Sequence, residues 1–216
     1  MAQRDEMTGL LERRGLEEAV REALENRNDD TPLSILVMDI DGFKRLNDNH
    51  GHEAGDEAIM ALVKAMKQTG EKQGVLSRFG GDQFAIAFPQ LEREQAFLAA
   101  EKIRGLMDQP HQLKSSKKGA VEQKLGISGG VAAYPLDGQT CTDILRRADE
   151  AQYRAKTTGR NKICIAQDTK MATKTSHYTT TQLERLTRLS EEQGVGEAML
   201  LREALDELLA KYRVDA

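Results

Sequence analysis

The sequence has little of three features that would define its class at once: cysteine, long apolar runs and an excess of one charge. Its 216 residues include two cysteines, Cys141 and Cys164, whose positions lack metal-ligand spacing. This count argues against a disulfide-stapled secreted domain and against a zinc module. We therefore expect two free thiols in a reducing compartment.

No run of residues approaches the roughly 20 apolar positions that a membrane span needs. The N-terminal stretch "MAQRDEMTGLLERR" also lacks the apolar core of a signal peptide. Lys and Arg number 31 against 35 Asp and Glu, so the chain has no global basic field to attract nucleic acid or anionic membranes. These absences predict a cytoplasmic globular protein with no membrane partner, built from one full domain and a small appendage.

Apolar periodicity and turn residues divide the first 167 residues into helix, strand, helix, hairpin, helix, strand, helix and strand. This order predicts an α/β sandwich with a mixed, largely antiparallel central sheet. The predicted elements are a helix over 7–26, a strand over 33–40, a polar Gly-rich stretch to Gly55, a helix over 56–69, a hairpin formed by "VLSRF" and "FAIAFP", a helix over 91–108, a basic loop "KSSKKG", a strand in "LGISGGVAAYP", a helix ending at Gly159 and a strand "KICIA".

The last part of the chain differs in composition from the first. Residues 168–180 are polar and Thr-rich, which predicts a linker or a weak strand. Residues 181–216 contain two leucine-rich helical patterns separated by "GVG". A segment this short cannot bury so many leucines alone, so we expect it to dock on the first domain or pair with a second chain.

Acidic residues lie at the end of the predicted strand 33–40 and in the hairpin turn. Asp39 and Asp41 in "MDID" are two residues apart, which places them on one side of an extended chain. If the hairpin strand that begins at Val75 is the neighbour, the turn "GGDQ" brings Asp82 to the same edge. Carboxylates beside a Gly-rich backbone suit a Mg²⁺-nucleotide site. The alternative is that the two aspartates cap the next turn and "GGDQ" is an ordinary hairpin turn.

Five stretches resemble the successive blocks of the GGDEF family, the diguanylate cyclases: "DEMTGLLERRGL", "MDIDGFKRLNDNHGHEAGD", "RFGGDQF", "ISGGVA" and "RADEAQYRAKTTGRN". The resemblance covers residues 5–167, in family order and spacing. It implies a palm-like nucleotidyl cyclase that uses Mg²⁺ or Mn²⁺ to condense two GTP into cyclic di-GMP across a dimer of two domains.

The resemblance also implies roles for individual residues. Asn47 and Asp56 would read the guanine edge, since Asp56 can accept from both guanine N–H groups, which adenine does not offer. The implied metal ligands are Asp39, the carbonyl of Ile40, and Asp82; the implied nucleotide-binding residues are Phe43, Lys44, Asn47, Asp56, Gly80 and Gly81; the implied catalytic residues are Asp82, Gln83, Lys156 and Arg160, of which the last two would contact phosphates.

Two positions depart from the family pattern. Gln83 stands where the signature usually has Glu. If that position is a base for the attacking 3′-hydroxyl, the amide costs on the order of 10²–10⁴ in rate; if it is a weak or outer metal ligand, the cost is nearer 10- to 100-fold. The inhibitory R-x-x-D motif would fall on residues 71–74, where "EKQG" has neither Arg nor Asp, so we expect no product feedback there.

The C-terminal segment resembles the two helices of a ribbon-helix-helix module, with Gly194 at the turn between them. Its strand would be roughly "ATKTSHY", where Lys174 and Ser176 occupy positions that expect apolar residues. From Lys170 onward seven basic residues face eight acidic ones, which is a weak footprint for DNA. DNA binding and a dimerising helical hairpin therefore both stay open.

Two functions follow from these patterns. One is a diguanylate cyclase slowed by Gln83, with GTP as its substrate and a homodimer formed through the C-terminal helices. The other is a catalytically silent GTP-binding module that regulates the C-terminal dimer, whether or not that dimer binds DNA. Because the chain begins at the first cyclase block, we expect control to come from the tail, a partner or the nucleotide level.

Two other patterns have simpler interpretations. His50 and His52 in "NHGHEAGD" could form a metal pair, but the surrounding glycines favour a turn. The loop "KSSKKG" could grip phosphate, and a solvated loop between strands is the better interpretation.

Overall fold

A computed structural model describes residues 3–26, 31–70, 74–117, 119–167, 176–193 and 196–212. The chain divides into two compact units, Met1–Asp168 and Thr169–Ala216. Within the described ranges, no helix combines the length and the apolar character that crossing a membrane requires.

The first unit is built on a six-stranded sheet in the order β1-β3-β4-β2-β7-β8. The outer pairs β1–β3 and β7–β8 are parallel, and the three inner pairs are antiparallel. A separate hairpin, β5–β6, lies outside this sheet. The strands are β1 Leu11–Glu12, β2 Leu33–Ile40, β3 Val75–Gly80, β4 Gln83–Phe88, β5 Pro110–Ser115, β6 Gly119–Lys124, β7 Ile127–Tyr134 and β8 Ile163–Ile165. The predicted α/β class with a mixed, largely antiparallel sheet is confirmed.

The helices are α1 Arg13–Glu25, α2 Phe43–His50, α3 His52–Gly70, α4 Arg93–Met107, α5 Cys141–Thr157, α6 Thr180–Gln193 and α7 Glu197–Lys211. Among the described residues, α1, α3, α4 and α5 pack on the sheet, α2 packs on α3, and α6 and α7 belong to the second unit.

Strand β2 is buried along its whole length, as a central strand with helices on both sides should be. Leu36 and Met38 belong to the core under α3 and α4. Ile35 and Val37 point the other way, into the core under α1 and α5. Because side chains alternate along a strand, Asp39 shares the α5 face of the sheet.

Helix α5 lies against β7 at backbone distance. A Cβ atom at Gly130 would come within 2.0 Å of the Ala148 carbonyl oxygen and 2.3 Å of the Gln152 backbone nitrogen. Only glycine permits this approach. The contact sets the distance between α5 and the sheet at Gln152, which lies one helical turn before Lys156.

Three local expectations were wrong. The first helix begins at Arg13 instead of residue 7, because Asp5 accepts hydrogen bonds from the backbone and hydroxyl of Thr8 and the chain turns there, with Gly9 at φ 70°. The polar stretch before Gly55 contains α2 and the start of α3. The hairpin strand beside β2 is β4, the second one, so the condition that the strand beginning at Val75 is the neighbour is not met.

The second unit is a helical hairpin. Thr179 and Gln182 cap the start of α6 reciprocally, with Thr179 N donating to Gln182 Oε1 at 2.9 Å and Gln182 N donating to Thr179 Oγ1 at 3.3 Å. Thr187 Oγ1 on α6 donates to Glu197 Oε1 on α7 at 2.6 Å. Several large apolar side chains of this unit are exposed: Tyr178, Leu183, Leu189, Leu205, Leu208, Leu209 and Tyr212. The ribbon predicted over 172–178 falls largely on residues outside the described ranges.

Candidate functional site

The site is organised around the end of β2, where Asp39 lies between two neighbouring strands. In the antiparallel register, Asp39 is directly opposite Gln83 of β4 on one side and Ser128 of β7 on the other. Residues opposite each other in such a pair have Cβ atoms roughly 5 Å apart on the same face. Gln83 is therefore an immediate neighbour of Asp39.

The turn that joins β3 to β4 carries Asp82. Gly80 and Gly81 have φ values of 137° and 53°, which L side chains rarely adopt. Arg78 fixes the turn by donating to the Gly81 carbonyl oxygen at 2.8 and 3.0 Å, and it also donates to both oxygens of Asp5 at 3.1 and 3.2 Å. The signature turn is thus tied to the first segment of the chain, a link that the sequence argument missed.

Asp39 is a buried carboxylate with one cation. Its side chain is 11% exposed, and Oδ2 pairs with the ammonium of Lys156. Oδ1 is buried and has no hydrogen-bond partner among the described residues. Burial raises the pKa of Asp39 to about 6, Lys156 opposes that shift through its charge and hydrogen bond, and the nearby charges of Asp82 and Asp41 add to it. The three aspartates are therefore close enough to interact.

Asp41 does not present a free carboxylate beside Asp39. Its Oδ1 accepts from the Ser128 hydroxyl at 2.7 Å, and its Oδ2 accepts from the Asn161 backbone N–H at 2.8 Å. Asn161 and Arg160 both have positive φ, 46° and 59°. Asp41 therefore holds the turn that follows α5, in which Arg160 is exposed.

We call Asp39, Asp82, Gln83 and Lys156 the metal end of the site, after the role that the sequence resemblance implies for Asp39 and Asp82. Ile40, the last residue of β2, lies next to Asp39 in the chain. Among the described residues, no cluster of three or more His, Cys, Asp and Glu side chains has the geometry of a ready-made metal site, and this includes His50 and His52.

We call Phe43, Asn47, Gly55 and Asp56 the base end of the site, after the guanine-reading role that the sequence resemblance implies for Asn47 and Asp56. A Cβ atom at Gly55 would come within 2.0 Å of Asn47 Oδ1 and 3.1 Å of Phe43 Cζ, so the absence of a side chain lets α3 pack onto α2. Asn47 Oδ1 is buried without a hydrogen-bond partner in the described part of the chain. Gly55 is a second position that the sequence argument missed.

The β5–β6 hairpin forms hydrogen bonds with the end of α2 and the start of α3. Ser116 N donates to the His50 carbonyl oxygen at 3.0 Å, and Lys114 N donates to Glu57 Oε2 at 2.5 Å. Lys117 Nζ donates to the Asp48 carbonyl oxygen at 2.5 Å. The described residues of the basic loop "KSSKKG" thus lie at the turn of a hairpin that contacts α2 and α3. Asp56 and Lys44 are exposed.

The first unit matches a known protein family. A family model described as "Diguanylate cyclase, GGDEF domain" matches residues 2–162, and a ribbon-helix-helix domain model matches residues 173–213. Both matches agree with the resemblances seen in the sequence.

Curated relatives share about a third of their residues with the chain. It is 34% identical over 166 residues to the bifunctional diguanylate cyclase/cyclic di-GMP phosphodiesterase MucR of Pseudomonas aeruginosa, covering 76% of this chain and 24% of that protein. It is 38% identical over 170 residues to the probable diguanylate cyclase DgcC of Escherichia coli, covering 77% and 44%. The chain thus spans less than half the length of these relatives.

Solved structures of GGDEF domains superpose on the first unit. The GGDEF domain of TpbB (YfiN) from Pseudomonas aeruginosa has a TM-score of 0.70 at 29% identity, covering 76% of this chain and 95% of that one. The active GGEEF domain of a diguanylate cyclase from Vibrio cholerae gives 0.66 at 32%, covering 74% and 99%. The GGDEF domain of DgcB from Caulobacter crescentus, in complex with c-di-GMP, gives 0.69 at 27%, covering 77% and 96%.

Proposed function

Because the chain belongs to the GGDEF family of diguanylate cyclases, we propose that it binds Mg²⁺-GTP and condenses two GTP into cyclic di-GMP at a rate reduced by Gln83. The observation that carries this proposal is the register of β2 and β4, which sets Gln83 directly opposite Asp39. Relative to the family signature, the site retains the residues assigned to GTP and metal binding and has Gln83 in place of the usual Glu.

The donor set of the metal end fits Mg²⁺. This ion commonly takes one or two carboxylates, keeps several waters and completes its shell with substrate phosphates. Asp39, with a buried and unpartnered Oδ1, and Asp82 would supply the carboxylates, and the Ile40 carbonyl would add a neutral oxygen. When bound, the ion supplies positive charge to the triphosphate and acidity to the attacking hydroxyl.

The base end supplies selectivity for guanine. Asp56 is exposed and can accept from the two N–H groups on the guanine edge. An unpartnered buried oxygen such as Asn47 Oδ1 costs about 1–3 kcal/mol, a cost that a donor on a ligand can remove. Phe43 and Lys44 on α2, with Gly80 and Gly81 in the signature turn, would complete the nucleotide pocket.

Lys156 and Arg160 would neutralise the phosphates from the end of α5 and the turn after it. The reaction needs two domains face to face, because each 3′-hydroxyl attacks the α-phosphate of the other GTP and displaces pyrophosphate. Gln83 can donate and accept hydrogen bonds, but its amide cannot take the hydroxyl proton as a carboxylate would. The active GGEEF domain from Vibrio cholerae has Glu at this place in its signature.

The second unit would bring two such domains together. Its exposed leucines on α6 and α7 and its match to a ribbon-helix-helix model support a homodimer formed through these helices. A covalently attached dimer module raises the effective concentration of the two cyclase domains.

The test is to incubate the full chain with GTP and Mg²⁺, separate the products by chromatography, and measure GTP binding in parallel. Cyclic di-GMP in the product fraction is the expected result. If GTP binds and no product forms even after the chains are crosslinked as dimers, the cyclase proposal is wrong.

The same Gln83 also favours a second candidate, a silent GTP-binding module that controls the state of the C-terminal dimer. It predicts a change in oligomeric state or in affinity for duplex DNA when GTP is added. Light scattering and DNA titrations that give the same values with and without GTP would exclude it.

A further inference from the structure

If the proposed function is right, Lys156 interacts with two different groups, Asp39 and the triphosphate. In the structure its ammonium pairs with Asp39 Oδ2, whereas the proposed function assigns it to the triphosphate. Asp39 likewise has two partners, since it would also be a metal ligand. Because Lys156 and Asp39 pair with each other, binding of a metal to Asp39 and of a triphosphate to Lys156 must affect one another.

Asp39 cannot be left without a cation. The carboxylate is 11% exposed and lies on the face of the sheet against which α5 packs. An ionised carboxylate in such a place needs a counter-charge, because burial removes the water that would otherwise solvate it. In the protein alone, Lys156 supplies that charge.

A divalent ion on Asp39 would be incompatible with Lys156 in its present position. An ion at the roughly 2.1 Å typical of Mg²⁺–oxygen bonds would leave the ammonium only about 4–5 Å away. Two cations at that separation repel strongly at a partly buried site. Lys156 can respond, because its side chain is 37% exposed and its four-carbon stem is flexible.

We propose that Lys156 is the resident counter-ion of Asp39, that it leaves this carboxylate when a divalent cation binds, and that the released ammonium then becomes available to the triphosphate. The idea rests on the proposed function for its last step. Metal and nucleotide binding would then be coupled through one side chain, each promoting the other.

Arg160 offers a matched control. Both residues were assigned to the phosphates by family resemblance, but Arg160 is exposed in the left-handed turn held by Asp41. Among the described residues, the salt bridge to Asp39 comes from Lys156. In this proposal, Lys156 couples metal binding to nucleotide binding, whereas Arg160 contacts the nucleotide alone.

The first experiment measures Mn²⁺ affinity without nucleotide, by electron paramagnetic resonance, for the wild type, Lys156→Met and Arg160→Met. Lys156→Met removes the competing ammonium and keeps the apolar stem, so we expect it to bind Mn²⁺ about 10-fold more tightly. Arg160→Met should match the wild type. Equal or weaker Mn²⁺ binding by Lys156→Met, or no Mn²⁺ binding by any of the three, overturns the proposal.

A second measurement uses the wild type, in case Lys156→Met does not fold. Acetic anhydride is added with and without saturating Mn²⁺, and acetylation is read by mass spectrometry at Lys156 and at Lys64, an exposed lysine on α3. We expect Mn²⁺ to raise acetylation at Lys156 and to leave Lys64 unchanged. Labelling of Lys156 that Mn²⁺ does not increase contradicts the proposal.

The final step is separable from these. In the wild type and Arg160→Met, Mn²⁺ should raise the affinity for a non-hydrolysable GTP analogue by a larger factor than in Lys156→Met. If no variant binds the analogue, the proposed function fails and so does this step, while the Mn²⁺ and acetylation results still decide whether Lys156 is the counter-ion.

Discussion

The base end and the metal end of the site are built in different ways. The base end is set by packing. Gly55 has no side chain, so Asn47 and Phe43 of α2 can pack against α3, and the β5–β6 hairpin forms hydrogen bonds with both helices. The metal end is set by charge, with a buried Asp39 balanced by Lys156 and the neutral Gln83 opposite it. The departure from the family signature, Gln83, falls on the metal end, so we expect a change there to alter turnover more than nucleotide binding.

The largest expected effect comes from removing a carboxylate from the metal end. Asp82→Ala should lower cyclic di-GMP formation on the order of 10³-fold, because a ligand for the catalytic ion is lost. GTP affinity without metal should change little, because the base end is intact. Product chromatography and nucleotide titration check the two statements. The exposed Glu18→Ala is the control; an equal loss in that variant would remove the link to the metal site.

The buried charge of Asp39 predicts a stability change with pH. The folded pKa is about 6, against an ordinary value of 3.8, so between these values the folded state binds more protons than the unfolded state. The metal-free protein should therefore lose stability as pH rises through this window, by up to roughly 3 kcal/mol. Asp39→Asn should lack this part of the slope in urea unfolding. Parallel slopes for the two proteins would contradict the assignment.

A change at the base end should affect recognition. Asp56→Asn replaces a pure acceptor by a group that is half donor, and should weaken GTP binding by roughly 10- to 100-fold. It should also shrink the preference for GTP over inosine triphosphate, which lacks the exocyclic amino group. Nucleotide titrations test both points, with the exposed Asp48→Asn as control. An unchanged preference would mean that Asp56 does not read the base.

The smallest effect is expected at Asp41, which acts on Asp39 through its charge and makes its own hydrogen bonds with Ser128 and Asn161. Asp41→Asn loses one of two accepted hydrogen bonds, to Ser128 or to Asn161, and should cost about 1–2 kcal/mol of stability. Because Arg160 lies in the turn that Asp41 holds, GTP affinity should fall more than GMP affinity. Calorimetry and titration with both nucleotides check this, and equal losses would assign Asp41 a role in folding alone.

The sequence predicted the parts of the molecule that depend on local pattern. The continuous apolar run at 33–40 gave β2 with its observed ends, and the strands flanking "GGDQ" gave the signature hairpin. The family blocks named the residues that the structure gathers at the end of β2. These features depend on alternation, turn chemistry and motif spacing, all of which are readable along the chain.

The parts that were missed depend on contacts between distant segments. Strand neighbours are a matter of topology, so the pairing of Asp39 with Gln83 could not be derived from spacing. The roles of Gly55 and Gly130 appear only when two elements touch. The Lys156–Asp39 pair joins residues 117 positions apart; no local pattern predicts that the lysine we assign to the phosphates also neutralises the carboxylate we assign to the metal.

The most direct test compares the rate of cyclic di-GMP formation by the wild type and Gln83→Glu at equal GTP and Mg²⁺, with GTP affinity measured on the same samples. Gln90→Glu, the same chemical change at an exposed turn residue after β4, is the control. We predict comparable GTP affinity in all three and a rate about 10- to 10⁴-fold higher for Gln83→Glu alone. Equal rates for Gln83→Glu and the wild type would contradict the proposal that Gln83 reduces the rate of cyclic di-GMP formation.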